Sequence, residues 1–143
     1  MDRQPRKNAV KQMIFVDSSV WIDYFNGKET PQTERLDSYL GTTLVIMGDL
    51  VLTEVLQGFQ SDKDFKTARD LLMQMPFMEM GGIEIALQSA INYRALRKKG
   101  VTVRKTIDVI IATFCIHNRL SLLHDDKDFD PMTKFLGLKA IDI

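Results

Sequence analysis

The most constraining feature of the sequence is a short apolar run that ends at an acid. Ile14, Phe15 and Val16 are continuously apolar and are followed by Asp17 and two serines. A run without polar alternation is typical of a strand buried on both faces, and the polar residues after it are suited to cap a helix. The chain is therefore predicted to open with a βα unit of a sheet covered by helices.

The rest of the chain repeats this alternation of strands and helices. Apolar runs predict strands at residues 13–16, 43–47 and 120–124, a short apolar piece at 77–80 and an edge strand at 138–143. Spacing and capping residues predict helices at 19–26, 32–40, 49–59, 62–75, 83–99 and 107–118. Asp49, Asp62 and Thr106 are the predicted caps of three of these helices. The pattern predicts an α/β fold, a three-layer α/β/α sandwich with a central, mainly parallel sheet.

The chain is predicted to contain one domain. Residues 1–12 are polar and unpatterned and are interpreted as a flexible N-terminal extension, so the domain is expected to cover residues 13–143. Met13 is an alternative biological start. An apolar fraction of 45% and a charged fraction of 27% are typical of a soluble globular protein.

Cysteine content and the first apolar run both favour a cytoplasmic location. The single cysteine, Cys115, lies in an apolar stretch and is predicted to be a buried, reduced thiol. The run at residues 13–16 is too short for a signal-peptide core or a membrane span. Because 19 basic residues balance 19 acidic residues, only a local arrangement of charge can indicate a nucleic-acid partner.

Four acids occupy positions where the predicted fold brings side chains together. Asp17 ends the first strand and Asp126 follows the last one, and in a parallel sheet these carboxyl ends lie at one edge. Asp108 falls in the first turn of a predicted helix, where the helix dipole favours an anion. Glu54 shares an apolar helix face with Gly58, whose small size leaves room for a ligand.

A cation would be needed if these four carboxylates converged. Their mutual repulsion raises their pKa values unless a positive charge neutralises them, and Mg²⁺ or Mn²⁺ is the cation that carboxylate and water oxygens suit. Helix capping by Asp17 and Asp126, a dipole role for Asp108 and an ion pair for Glu54 remain alternative interpretations of the same residues.

The segments that carry these acids resemble four motifs of the PIN-domain ribonucleases, and within them of the VapC toxins. The segments are residues 14–23 with Asp17 and the hydroxyl of Ser19, residues 52–58 with Glu54, residues 105–112 with Asp108, and residues 123–129 with Asp126. The likeness covers nearly all of residues 13–143. In the fourth motif, alignment on the final Asp-Phe favours Asp126, with Asp125 and Asp128 as alternatives.

The resemblance implies an Mg²⁺- or Mn²⁺-dependent endoribonuclease that cuts single-stranded or looped RNA as the toxin of a type II toxin–antitoxin pair. It also implies a homodimer and a cognate VapB-like antitoxin. Under this hypothesis Asp17 and Asp108 are the principal metal ligands, and Glu54 and Asp126 complete the site or position water. Ser19 either holds a metal-bound water or shapes the turn.

Other functions remain open at this point. A PIN-like nuclease of RNA processing or DNA repair would use the same acids without being a toxin, and a catalytically silent PIN-like binding domain would keep them as caps and ion pairs. A flavodoxin-like nucleotide-binding domain is disfavoured, because no glycine-rich phosphate loop follows the first strand.

A basic segment leads into Asp108 and is a candidate RNA contact. It contains Arg94, Arg97, Lys98, Lys99, Arg104 and Lys105. Arg104 and Lys105, which are nearest to the acid, are the candidate substrate-binding residues. A solvated helix end is the alternative interpretation.

The remaining conspicuous side chains are predicted to be structural. His117 and His124 are too isolated for a histidine-rich metal site. A methionine cluster at residues 73–80 and the aromatic residues Trp21, Tyr24 and Phe25 are interpreted first as core. The methionines would also suit an antitoxin groove, and part of the aromatic surface would suit a dimer or antitoxin contact.

Overall fold

Four parallel strands form the centre of the protein in a computed structural model that describes residues 12–143. The strands are β1 (Met13–Val16), β2 (Leu44–Gly48), β3 (Phe77–Met78) and β4 (Ser121–Leu123). Their order is β3-β2-β1-β4, and each neighbouring pair is parallel. The predicted α/β class and parallel sheet are confirmed, whereas the predicted extension at residues 1–12 lies outside the described residues except for its last one.

Within residues 12–143, seven α-helices and one 3₁₀ helix connect and flank these strands. The helices are α1 (Ser18–Phe25), α2 (Pro31–Tyr39), α3 (Asp49–Leu56), α4 (Asp62–Leu72), α5 (Ile83–Lys98), α6 (Thr106–His117), the 3₁₀ helix Lys127–Phe129 and α7 (Asp130–Leu136). The chain moves across the sheet from β1 to β2 and β3 through α1 to α4, and it returns from β3 to β4 through α5 and α6. Because such crossovers are right-handed, the two groups cover opposite faces of the sheet.

The reversal of strand order places a crevice beside β1. β1 pairs with β2 on one side and with β4 on the other, although β4 comes last in the chain. Helices that leave the two sides of such a point diverge, and ligands of open α/β sheets bind in the resulting crevice at the carboxyl ends of the strands. The backbone N–H of Asp17 donates a hydrogen bond of 2.9 Å to the carbonyl of Leu123, which joins the ends of β1 and β4 at this crevice.

The core is built around the central strand, as the continuous apolar run predicted. Ile14 and Phe15 are fully buried, and the rings of Phe15 and Phe114 lie 5.1 Å apart across the sheet–helix interface. Gly48, at the end of β2, allows close packing here, because a Cβ at this position would overlap the side chain of Met80 and lie 3.0 Å from Phe15 Cζ. The last methionine of the predicted cluster is therefore core.

Several predicted boundaries and caps are wrong in detail. The segment at residues 138–143 forms no strand and contributes one isolated parallel bridge, Leu122 to Ala140, because the chain leaves the sheet edge after a single pairing. Asp62 and Thr106 are the first residues of their helices, and the N-caps are Ser61 and Lys105.

Asp49 also differs from its predicted capping role. It is the first residue of α3, and its carboxylate accepts a hydrogen bond of 3.0 Å from the backbone N–H of Met80. The acid therefore ties the start of α3 to the segment after β3, a long-range contact that local capping patterns do not encode.

The structure also bears on two features considered in the sequence, the single cysteine and membrane-spanning segments. Cys115 is a buried free cysteine, and burial raises the pKa of its thiol. Within the described residues 12–143, the helices are too short or too polar to cross a membrane.

Candidate active site

Asp17 lies at the crevice as the residue between β1 and α1. It is 4% exposed, and its Oδ2 accepts hydrogen bonds from the backbone N–H of Ser19 at 3.2 Å and from the Ser19 hydroxyl at 2.6 Å. The carboxylate therefore caps α1 with one oxygen. Capping and participation in a site are compatible for this residue, since a carboxylate has several lone pairs.

Asp108 enters the crevice from the first turn of α6. It is 4% exposed, and its Oδ2 is buried without a hydrogen-bond partner among the described residues. Burial raises the pKa of Asp108 to about 6, although the nearby Lys105 ammonium opposes this and favours the ionised form. A buried carboxylate oxygen without a hydrogen-bond partner costs free energy, and a bound cation would offset that cost.

Glu54 approaches from α3 and shows the same lack of partners. Its Oε1 is buried without a hydrogen-bond partner among the described residues. Burial raises the pKa of Glu54, the Ser18 hydroxyl counteracts this, and the charge of Asp17 raises the pKa further. Helix α3 ends at Leu56, so Gly58 lies beyond the helix and does not share a face with Glu54 as predicted.

Asp126 and Asp128 stand on the turn that follows β4. The Asp126 side chain accepts a hydrogen bond of 2.9 Å from the backbone N–H of Asp128 and caps the 3₁₀ helix. The backbone N–H of Asp126 donates to Nδ1 of His124 at 3.1 Å, and that ring packs on Phe129 at a centroid distance of 4.8 Å. Burial lowers the pKa of His124, which suits its acceptor role and the structural role predicted for it.

The tertiary structure brings three of these acids into one cluster. Asp108, Asp126 and Asp128 each offer a carboxylate oxygen within 4.8 Å of the others. Asp17 also acts on this cluster, because its charge raises the pKa of Asp108. Asp125 is exposed and lies outside the cluster. The two acids Asp126 and Asp128 thus meet Asp108 together, where the sequence offered them as alternatives.

Two basic residues line the cluster. The ammonium of Lys105 lies 3.7 Å from Asp108 Oδ2 and 3.6 Å from Asp126 Oδ2, and the Arg104 guanidinium lies 3.2 Å from Asp128 Oδ2. Partial burial disfavours the charged form of Lys105, but the surrounding carboxylates outweigh this and raise its pKa. Both residues predicted to contact RNA phosphates are therefore engaged with acids of the cluster.

The donor set fits a hard divalent cation. All the converging ligands are carboxylate oxygens, which Mg²⁺ and Mn²⁺ prefer. The buried, unpartnered Oδ2 of Asp108 is an atom that such a cation would satisfy. Asp17 and Glu54 are not part of the three-acid cluster, and the charge of Asp17 raises the pKa of both Asp108 and Glu54. Exposed acids on a surface would not show this combination of burial and missing hydrogen bonds.

Sequence reasoning missed one neighbour of the site. The hydroxyl of Ser18 lowers the pKa of Glu54. The sequence signal was present, because Ser18 directly follows Asp17, but only the packing of α1 against α3 brings it to the glutamate.

The other conspicuous side chains have contacts with residues outside the three-acid cluster. His117 lies at the end of α6, 3.9 Å from Glu84. Trp21 is fully buried and stacks with Phe25 at 6.0 Å, so the first aromatic residues are core. The basic residues at the end of α5 are exposed, and Arg97 lies over the ring of Tyr93 at 5.7 Å.

The methionine cluster divides between core and surface. Met80 is fully buried, whereas Met73 is 65% exposed and its neighbour Phe77 is 53% exposed. Met75 and Met78 are partly buried against the core. The core interpretation therefore holds for part of the cluster only.

Comparison with known proteins gives consistent matches over most of the chain. The family model described as PIN domain matches residues 14–134. A VapC ribonuclease of Mycobacterium bovis and ribonuclease VapC11 of Mycobacterium tuberculosis are each 28% identical over 130 residues, which span 90% of this chain and 97% of the relative.

Two solved structures with a similar fold are described as VapBC proteins. VapBC2 from Rickettsia felis bound to a promoter DNA fragment matches with a TM-score of 0.73 and 12% identity, covering 92% of this chain and 99% of that one. VapBC-1 from nontypeable Haemophilus influenzae matches with a TM-score of 0.69 and 18% identity, covering 92% and 98%. At these identities the matches establish the shared fold.

Proposed function

The chain belongs to the PIN domain family, and from this premise we propose that it is a metal-dependent endoribonuclease that acts as the toxin of a type II toxin–antitoxin pair in the cytoplasm. The observation that carries the proposal is the acidic crevice, in which buried oxygens of Asp108 and Glu54 have no hydrogen-bond partner. The curated relatives are named ribonucleases, which indicates the reaction and the substrate class.

We assign the metal to the carboxylates of Asp17, Glu54, Asp108 and Asp126, with Asp128 as an additional ligand or an outer-shell acid. Mg²⁺ or Mn²⁺ bound there would lower the pKa of a bound water and offset the charge on the attacked phosphate. Ser19 holds the Asp17 carboxylate in one orientation through its hydroxyl. The Ser18 hydroxyl lowers the pKa of Glu54, and His124 holds the turn that carries Asp126.

Arg104 and Lys105 are the proposed contacts to RNA phosphates at the rim of the site. Both side chains are more than half exposed, at 73% and 56%, so they reach solvent without rearrangement of the backbone. A cation beside a carboxylate site reduces the repulsion that a phosphodiester would meet there.

The experiment that tests the proposed activity is cleavage of total RNA by the purified protein with Mg²⁺, with Mn²⁺ and with EDTA. The parent is compared with Asp108→Asn and with the control Asp70→Asn, which changes an acid that is 68% exposed and pairs with the neighbouring Arg69. We expect metal-dependent cleavage by the parent and the control, and loss of at least about a hundredfold in Asp108→Asn.

Three outcomes would contradict parts of this proposal. Cleavage by Asp108→Asn at the parental rate would exclude the assigned site. A folded parent that cuts no RNA with either metal would favour a catalytically silent PIN-like binding domain, while activity without toxicity on expression would favour an RNA-processing nuclease.

We also propose that the protein forms a homodimer through the outer face of α5. Ile83, Leu87 and Ile91 follow one another by one helical turn and are 72%, 60% and 56% exposed. Ala86 and Ala90 lie beside them and line an apolar groove of about 360 Å³ between α5 and α6. Two copies of such a stripe can pack against each other about a twofold axis. The large residues of one copy then lie against the small residues of the other.

A VapB-like antitoxin is the second proposed partner. The solved structures of the same fold include VapBC proteins. Co-expression with a cognate VapB-like antitoxin is expected to yield a stable complex and to relieve toxicity. Independent purification of the two proteins would contradict this assignment.

A further inference from the structure

We infer that Lys105 is the resident counter-ion of the metal-free site: its ammonium occupies the gap between Asp108 and Asp126 and leaves that gap when a divalent cation binds. This inference rests on the proposed metal site. Lys105 thus competes with the metal and does not support its binding.

The position of the ammonium is the first observation. Lys105 Nζ lies 3.7 Å from Asp108 Oδ2 and 3.6 Å from Asp126 Oδ2. These are two of the three acids whose oxygens converge within 4.8 Å. The ammonium therefore contacts two of the carboxylates that would hold a cation in the cluster.

The contacts of the ammonium are loose. Both distances exceed those of a hydrogen bond, and Asp108 Oδ2 remains without a hydrogen-bond partner among the described residues. The Lys105 side chain is 56% exposed, so its four-carbon stem can turn into solvent. Lys105 is also the N-cap of α6 but makes no side-chain capping hydrogen bond that would hold it in place.

Charge repulsion prevents the Lys105 ammonium and a divalent cation from occupying the cluster together. Without metal, the ammonium partly neutralises acids that are buried and mutually repelling. A divalent ion held by the same oxygens would lie within a few ångströms of the ammonium, where like charges repel strongly in a partly buried site. Binding of the metal therefore includes the cost of breaking two lysine–carboxylate pairs.

The test is Mn²⁺ titration of EDTA-treated protein by calorimetry, comparing the parent, Lys105→Met and Lys127→Met. Lys127 is the matched control, because it is exposed, lies between Asp126 and Asp128 in sequence, and forms no ion pair with the cluster among residues 12–143. We expect Lys105→Met to bind Mn²⁺ roughly threefold to tenfold more tightly than the parent, because two competing ion pairs of a half-exposed lysine are lost. Lys127→Met should change the affinity by less than about twofold.

Thermal unfolding gives a second readout that does not depend on activity. Lys105→Met should have a lower Tm than the parent in EDTA, because the acids lose their counter-ion, and the difference should shrink or reverse with saturating Mn²⁺.

Equal or weaker Mn²⁺ binding by Lys105→Met would overturn the inference while leaving the metal site intact. An equal gain in both lysine variants would overturn it as well, since it would show a long-range charge effect. A folded parent that binds no Mn²⁺ would overturn both the inference and the proposed metal site.

Discussion

The hydroxyl of Ser19 donates a hydrogen bond of 2.6 Å to Oδ2 of Asp17, and the backbone N–H of Ser19 donates to the same oxygen at 3.2 Å. One oxygen of the acid is thus committed to the start of α1, while the carboxylate remains 4% exposed at the crevice. The serine therefore fixes the orientation of an acid that we propose as a metal ligand, as expected if Ser19 shapes the turn.

Ser19→Ala should weaken metal binding without unfolding the protein. The backbone N–H still donates to Asp17, but loss of a hydrogen bond that orients a metal ligand is expected to weaken Mn²⁺ binding by about tenfold. Calorimetric titration checks this. The control is Ser38→Ala, whose hydroxyl donates to the carbonyl of Arg35 in its own helix. Unchanged affinity in Ser19→Ala would show that the hydroxyl is dispensable for orienting the acid.

The raised pKa of Asp108 predicts a pH-dependent cost to stability in the metal-free protein. The folded pKa of about 6 exceeds the unfolded value of 3.8, so the folded state binds the extra proton between these values. The free energy of unfolding should therefore fall as pH rises from about 4 to 6 and lose no more above that range. The acid is almost fully buried, and the cost is on the order of 1–3 kcal/mol.

Asp108→Asn removes this titration and should stabilise the metal-free protein at pH 7.5 but have little effect near pH 4. Urea unfolding in EDTA at the two pH values measures the difference. Adding Mg²⁺ should stabilise the parent and leave Asp108→Asn unchanged. A variant that is destabilised equally at both pH values would show that packing of the side chain, rather than its charge, dominates at this position.

The three neighbouring acids after β4 are predicted to differ in importance. Asp126 and Asp128 join the cluster with Asp108, whereas Asp125 is exposed and lies outside it. We expect Asp126→Asn to lose most RNA cleavage, Asp128→Asn to lose a smaller part, and Asp125→Asn to retain the parental rate. Initial rates with Mg²⁺ measure this order. A large loss confined to Asp125→Asn would reverse the assignment.

Leu87→Glu on the outer face of α5 is predicted to convert the dimer into a monomer. Leu87 is 60% exposed, and a glutamate there would bring two like charges into an apolar twofold contact. Light scattering after size exclusion measures the mass. Gln88→Glu, which adds a charge at the next exposed position, should remain dimeric. A parent that is monomeric at micromolar concentration would exclude this interface.

The sequence alone was informative about local structure and poor at long-range contacts. The run Ile14-Phe-Val and the polar residues after it predicted a buried strand and a helix start, because burial on two faces and capping are local properties. The fate of residues 138–143 was predicted wrongly, because apolar character does not reveal whether a partner strand is within reach. Asp49 was taken for a cap, yet its carboxylate binds Met80 across 31 residues.

From the sequence alone, three features could be inferred: the order of strands and helices, the burial of the central strand, and the positions of Asp17, Asp108 and Asp126 at strand ends and a helix start. These features follow from periodicity, capping and the direction of a parallel strand. The pairing of β4 with β1, the meeting of Asp126 and Asp128 with Asp108, and the position of Lys105 beside Asp108 and Asp126 exist only in the folded chain. The physical reason is that charge and desolvation act through space, so distances between residues far apart in the chain exist only after the sheet has formed.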